Sequence, residues 1–147
     1  MPTSSNDRSE SAQASCFCGA ASLTVPLPLR PPIHCHCGQC RRLSGAAWTT
    51  WVSAPLPAVS IQGQDALRRF AATAHVTRHF CGQCGTHVFT ADARMPNVLG
   101  IPAGILPTEC LPKAKGHYFV SDKAAWATLP EGEPCFGGPA GMEPLSA

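Results

Sequence analysis

A mainly β domain of short strands is the fold class that this sequence predicts, and three observations predict it. The 147 residues include fifteen prolines and thirteen glycines, which favour tight turns over long helices. Short alternating apolar segments recur between these turns along most of the chain. Seven of the nine cysteines fall into three clusters, an arrangement that can cross-link a small core. A chain of this length holds one domain, and its charged fraction of 14% is below the usual share of roughly 25%.

Residues 1–14 are rich in Ser, carry mixed charge and read as a disordered tail. The domain, residues 15–136, opens at Cys16-x-Cys18. Ser22 to Leu29 alternates until prolines interrupt it, which predicts an edge strand. Cys37 to Leu43 predicts one short helical turn that Ser44-Gly45 ends. Ala46 to Ala54 contains Trp48, Trp51 and Val52, a strand-like set. Further strands are expected at Val59–Gln62, Ala66–Ala71, His75–Phe80, Thr86–Ala91, Asn97–Ile105 and Tyr118–Ser121. Asp122 to Trp126 predicts a helical turn, and Gly/Pro content makes residues 137–147 a flexible tail.

The clusters are Cys16-x-Cys18, Cys35-x-Cys37-x-x-Cys40 and Cys81-x-x-Cys84. Cys-x-x-Cys in a tight turn aims two sulfurs at one metal, and Gly85 after Cys84 suits the positive φ such a turn needs. Cys-x-Cys on an extended segment projects both sulfurs from one face. Nothing at the N-terminus resembles a secretory signal and no apolar run reaches transmembrane length, so zinc is expected here in preference to disulfides or an iron–sulfur cluster. The same reasoning predicts a reducing, cytoplasmic setting. Seven thiolates complete one tetrahedral site and leave a second with an open position, and open zinc sites are catalytic ones.

Spacing leaves two partitions. Cys37/Cys40 can join Cys81/Cys84 as a zinc ribbon, or Cys16/Cys18 can join Cys81/Cys84 and leave Cys35, Cys37 and Cys40 together. Low loop-closure entropy over six residues favours the second. The formal charge of +2 becomes +2 − 7 + 4 = −1 with seven thiolates and two Zn²⁺. That balance, with only the pairs Arg41-Arg42 and Arg68-Arg69, argues against a nucleic-acid partner.

Cys16-Phe17-Cys18-Gly19-Ala20, Cys35-His36-Cys37-Gly38-Gln39-Cys40-Arg41 with Ser44-Gly45, and Phe80-Cys81-Gly82-Gln83-Cys84-Gly85-Thr86 occur in this order. His117-Tyr118-Phe119-Val120 and Lys123-Ala124-Ala125-Trp126 follow. Over roughly Ser15 to Phe136 the chain resembles the glutathione-dependent formaldehyde-activating (GFA) family, which includes centromere-protein-V-like members. The resemblance implies a zinc-stabilised β-tent of short antiparallel strands and selects the second partition. Cys16, Cys18, Cys81 and Cys84 match the structural zinc ligands, and Cys35, Cys37 and Cys40 match the ligands of the catalytic zinc, two Zn²⁺ per chain. It further implies a carbon–sulfur lyase that joins glutathione to formaldehyde as S-hydroxymethylglutathione. The alternative is a non-catalytic zinc-stabilised binding module of the centromere-protein-V-like type.

Other residues carry weaker expectations. Alternating projection turns His36 away from the sulfurs, and His34 and His117 are candidates for a fourth ligand, each with a structural role as the favoured reading. Arg41, Lys113, Lys115 and Lys123 are candidates for substrate carboxylates, each with solvation as the simpler role. Trp48 and Trp51 fall on opposite faces of a strand, which would let one line a pocket while the other packs; core packing is the default for both. Cys110 reads as an apolar filler and Cys135 as an exposed thiol.

Overall fold

The computed structural model describes residues 10–145. Two antiparallel strands open the domain: β1 (Ser11–Ser15) and β2 (Ser22–Pro26), paired from Ser15↔Ser22 to Ser11↔Pro26. In β1 the small residues Ala12 and Ala14 are buried while Ser11, Gln13 and Ser15 face outward, the period of two that a half-covered strand requires. Residues 11–14, expected in a disordered tail, are thus part of the sheet; residues 1–9 lie outside the described residues. Ser, Ala and Gln carry little intrinsic strand preference, and only the β2 partner specifies the strand. With β5 (Ser60–Gln62) on its other side, β2 is the centre of a three-stranded sheet and not the edge expected of it.

A second sheet has seven strands. Its members in chain order are β3 (Ile33–Cys35), β4 (Thr49–Pro55), β6 (Leu67–Ala71), β7 (Val76–Cys81), β8 (His87–Asp92), β9 (Val98–Pro102) and β10 (His117–Tyr118). The spatial order is β10-β3-β4-β9-β8-β7-β6, antiparallel throughout except for the parallel β3/β10 pair. One helix, α1 (Gly38–Ser44), follows β3 and ends at Gly45, whose φ of +70° lets its N–H bond Arg41 O at 2.8 Å. The fold is mainly β, as expected, and β3, like β1, is a strand that the sequence pattern did not expose.

One apolar cluster joins the two sheets. Leu23 and Val25 of β2 meet Val52 of β4, Val88 of β8, and Leu99 and Ile101 of β9, each 0–1% exposed. Burial of such a side chain is worth about 1.5–3 kcal/mol, so this seam holds the small sheet against the large one. The expected flexible tail from residue 137 also differs: β11 (Phe136–Gly137) pairs with β12 (Glu143–Pro144), and Tyr118 stacks on Phe136 with centroids 4.5 Å apart. Residues 146–147 lie outside the described residues. Among the described residues no helix is long and apolar enough to cross a membrane.

Candidate metal centres and active site

Four of the sequence-predicted cysteines meet where two hairpin turns approach each other. Cys16 and Cys18 lie in the β1–β2 turn, Cys81 ends β7 and Cys84 lies in the β7–β8 turn; their four sulfurs lie within 4.8 Å of one another. Both turns aim backbone N–H groups at sulfur: Ala21 N donates to Cys16 Sγ at 3.3 Å and Gln83 N to Cys81 Sγ at 3.4 Å. Gly85 does adopt a positive φ, +80°, and its N–H bonds Cys81 O at 2.8 Å. Phe17 N donates to Thr86 Oγ1 at 3.1 Å, which stitches one turn to the other. The Thr86 hydroxyl and N–H hold the Cys84 thiol down at about 5, within reach of thiolate at neutral pH.

The remaining three, Cys35, Cys37 and Cys40, form a separate set whose sulfurs also lie within 4.8 Å. The ribbon partition, Cys37/Cys40 with Cys81/Cys84, is not the arrangement present. Cys35 ends β3, where pairing to Thr49 and Tyr118 locks its backbone. Cys37 caps α1: its extended backbone (ψ 154°) turns Sγ to accept from Cys40 N at 3.3 Å. Cys40, buried inside that helix, has its carbonyl bonded by Ser44 Oγ at 2.7 Å and Thr49 Oγ1 at 3.2 Å.

Donors converge on the Cys40 sulfur. Trp51 Nε1 lies 3.4 Å away and Arg78 Nη2 3.6 Å away. Hydrogen bonds from Cys35 and Cys37, then from Trp51 and Arg78, pull the Cys40 thiol down to about 2. Cys35 moves the opposite way, raised by its bonds to Cys37 and Cys40 and by burial. Within the trio, Cys40 is the sulfur that the indole N–H and the guanidinium serve. A cleft of about 300 Å³ opens onto Cys35 and Cys40, with Trp51, Val76, Arg78 and Met95 among its walls. Trp51 is thus the pocket tryptophan, and Trp48 packs among His34, His36 and His117 with centroids 5.0–5.6 Å apart.

His34 and His117 do not join the sulfur trio. His36 is fully buried and faces His117, Nε2 to Nδ1 at 2.8 Å, while His117 Nε2 donates to Glu133 Oε2 at 2.6 Å. His34 Nδ1 contacts Thr50 Oγ1 at 2.8 Å. Among the described residues no fourth His, Cys, Asp or Glu ligand atom groups with Cys35, Cys37 and Cys40. Arg41 Nε donates to His36 O at 3.3 Å, and Lys123 Nζ to Ala127 O at 2.7 Å, so both serve the backbone. Lys113 and Lys115 are exposed and do not line the cleft. Cys110 packs against the core as expected, whereas Cys135 is half-buried, with Sγ 3.5 Å from Glu133 O. Arg78 is the site residue that sequence reasoning missed. Its only signal was an arginine between Thr77 and His79 in an expected strand, and a solvated arginine gives the same signal.

The sequence matches the family profile described as "Glutathione-dependent formaldehyde-activating enzyme" over residues 11–122. A protein of Halomonas elongata, provisionally named as a glutathione-dependent formaldehyde-activating enzyme, is 25% identical over 136 residues. That alignment covers 86% of this chain and 87% of the relative. A crystal structure of a Rhodobacter sphaeroides protein superposes with a TM-score of 0.51 at 24% identity, covering 65% of this chain and 88% of that one. The structural likeness speaks for the fold, and the profile match spans the hairpin turns, the sulfur trio and the cleft. The chain belongs to the glutathione-dependent formaldehyde-activating enzyme family.

Proposed function

We propose that the chain is a two-zinc carbon–sulfur lyase that joins the thiol of glutathione to formaldehyde, giving S-hydroxymethylglutathione. The donor sets fit the ion. Zn–S bonds of about 2.3 Å in a tetrahedron separate sulfurs by about 3.8 Å. The Cys16–Cys18 and Cys18–Cys81 sulfur separations are both 3.7 Å. Cys16, Cys18, Cys81 and Cys84 would hold a structural ion, and Cys35, Cys37 and Cys40 a second one. Zinc in the three-sulfur set would supply one thing: a site where an incoming thiol is held as thiolate near neutral pH.

The chain's own residues do the rest. Trp51 Nε1–H and Arg78 hold the Cys40 sulfur by charge-assisted hydrogen bonds, which stabilise negative charge on the trio. The walls formed by Trp51, Val76 and Met95 exclude water and orient a thiol whose sulfur points at the cleft floor. A carbon–sulfur bond forms between that sulfur and the carbonyl carbon. The carbonyl π pair moves to oxygen, and oxygen takes the proton that the thiol gave up. The reverse step breaks the same bond.

The observation that carries this reading is the cleft above Cys35 and Cys40: a sulfur set built only for stability has no use for an approach path. The binding-module alternative has no comparable feature in its favour. Thiolate chemistry of this kind would suit a reducing, cytoplasmic setting. Exchange NMR on formaldehyde and glutathione tests the proposal. The holoprotein is expected to accelerate exchange, and Cys37→Ser is expected to abolish the acceleration. Exchange at the background rate with every thiol and aldehyde tried would reject it.

A further inference from the structure

Strand β7 carries Arg78 inward, and the residue is 5% exposed. Among the buried described residues it is the sole Arg, Lys, Asp or Glu. A buried charge is costly unless it is paired. Among the described residues no carboxylate pairs with it: Asp92, which lines the same cleft, is bound to Arg94 at 2.8 Å. Arg78 Nη2 instead donates to Gln39 Oε1 at 2.8 Å and to Cys40 Sγ at 3.6 Å. The guanidinium lies 5.3 Å from the Trp51 ring centroid, and its Nε has no hydrogen-bond partner. The counter-charge for this cation is therefore sulfur, together with whatever anion enters the cleft.

We propose that Arg78 is a specificity-determining residue of the three-sulfur site, selecting an anionic fourth ligand, a thiolate, over neutral donors such as a thioether or imidazole. The inference rests on the proposed function above. Three thiolates and a divalent ion sum to −1, and a fourth thiolate takes the set to −2. Inside a cleft of low dielectric that second negative charge is unfavourable without a cation at hand. A guanidinium already touching Cys40 offsets it, whereas a neutral ligand gains little from the same contact. The contribution of Arg78 consequently scales with the charge of the ligand.

Cobalt-loaded full-length protein makes the selection visible, because thiolate ligands add charge-transfer absorption. Titrations with glutathione, S-methylglutathione and imidazole are compared. Wild-type protein is expected to bind glutathione and to discriminate against the thioether. Arg78→Gln should weaken glutathione binding about ten- to a hundredfold, the range for a lost charge-assisted hydrogen bond, and leave imidazole binding unchanged. Arg78→Lys should restore part of the loss. Because Arg78 is buried, Gln39→Glu provides a second route. It sets a carboxylate against the guanidinium at a half-buried position, and the same selective loss is expected. Wild-type selectivity in the variants that load cobalt would overturn the role of Arg78 alone, as would equal loss for glutathione and imidazole. Wild-type protein that adds no thiolate band would instead overturn the proposed function, and this role with it.

Discussion

The two sulfur sets differ more in their surroundings than in their ligands. Cys16, Cys18, Cys81 and Cys84 are served by turn backbone and by Thr86, with no cation within hydrogen-bond reach of any sulfur among the described residues. Cys35, Cys37 and Cys40 are served by an indole N–H and a buried guanidinium, and they face a cleft. The first set ties a β1–β2 turn to a β7–β8 turn about sixty-five residues later in the chain. The second lies within six residues and cross-links almost nothing. A metal centre that closes a long loop is worth more to stability, and one that closes a short loop is free to be worth more to chemistry.

Removing one sulfur from each set gives the widest contrast. Cys84→Ser should abolish cooperative thermal unfolding, because a structural zinc held by this set would contribute about 10–16 kcal/mol against a total domain stability of about 5–15 kcal/mol. Cys37→Ser should lose one metal equivalent, by elemental analysis, and keep a cooperative transition. Equal unfolding of the two variants would erase the distinction.

Leu23→Ala sharpens the contrast from the side of the core. It leaves a cavity under the small sheet, and a loss of about 2–5 kcal/mol is expected in urea unfolding with thiol exchange unchanged. A collapse of exchange at temperatures where the variant is folded would show that the two regions are not separable.

Trp51→Phe keeps a ring and removes the N–H on Cys40 Sγ. The lost hydrogen bond to a charged sulfur, about 1.5–3 kcal/mol, corresponds to about a ten- to hundredfold slower exchange with little change in melting temperature. Unaltered exchange would remove Trp51 from the chemistry.

The smallest effect is one of pH. Burial, and then the charge of Arg78, lower His87 from 6.5 to about 4. The unfolded chain takes up that proton below 6.5 and the folded chain only below about 4. Stability should therefore rise with pH across that window and level off above it. His87→Asn should flatten the slope of urea midpoint against pH between those values; an unchanged slope would show that His87 contributes nothing to it.

Much of the fold was legible because its strands are bounded by Gly and Pro and alternate in the ordinary way. The misses share a cause. Ser11–Ser15 lacks bulky residues, and Ile33–Cys35 is too short to show a period; both are strands only because β2 and β4 supply hydrogen-bonding partners. The pair β11/β12 closes a Gly/Pro-rich stretch whose composition describes a tail equally well.

At the site, local spacing made Cys35, Cys37 and Cys40 a unit, since three residues within six need no help to meet. It also marked each Cys-x-Cys and Cys-x-x-Cys as a chelating turn, and it turned His36 away from the sulfurs. Which distant turns would share a site was beyond spacing alone, and so was the arrival of Trp51 and Arg78 at Cys40. Those encounters depend on strand register across the seven-stranded sheet, where β4 and β7 are separated by two intervening strands. A side chain's neighbours across a sheet are set by pairing, and pairing is a property of the folded whole: the chain gathered its sulfur trio locally and brought the guanidinium to it only by folding.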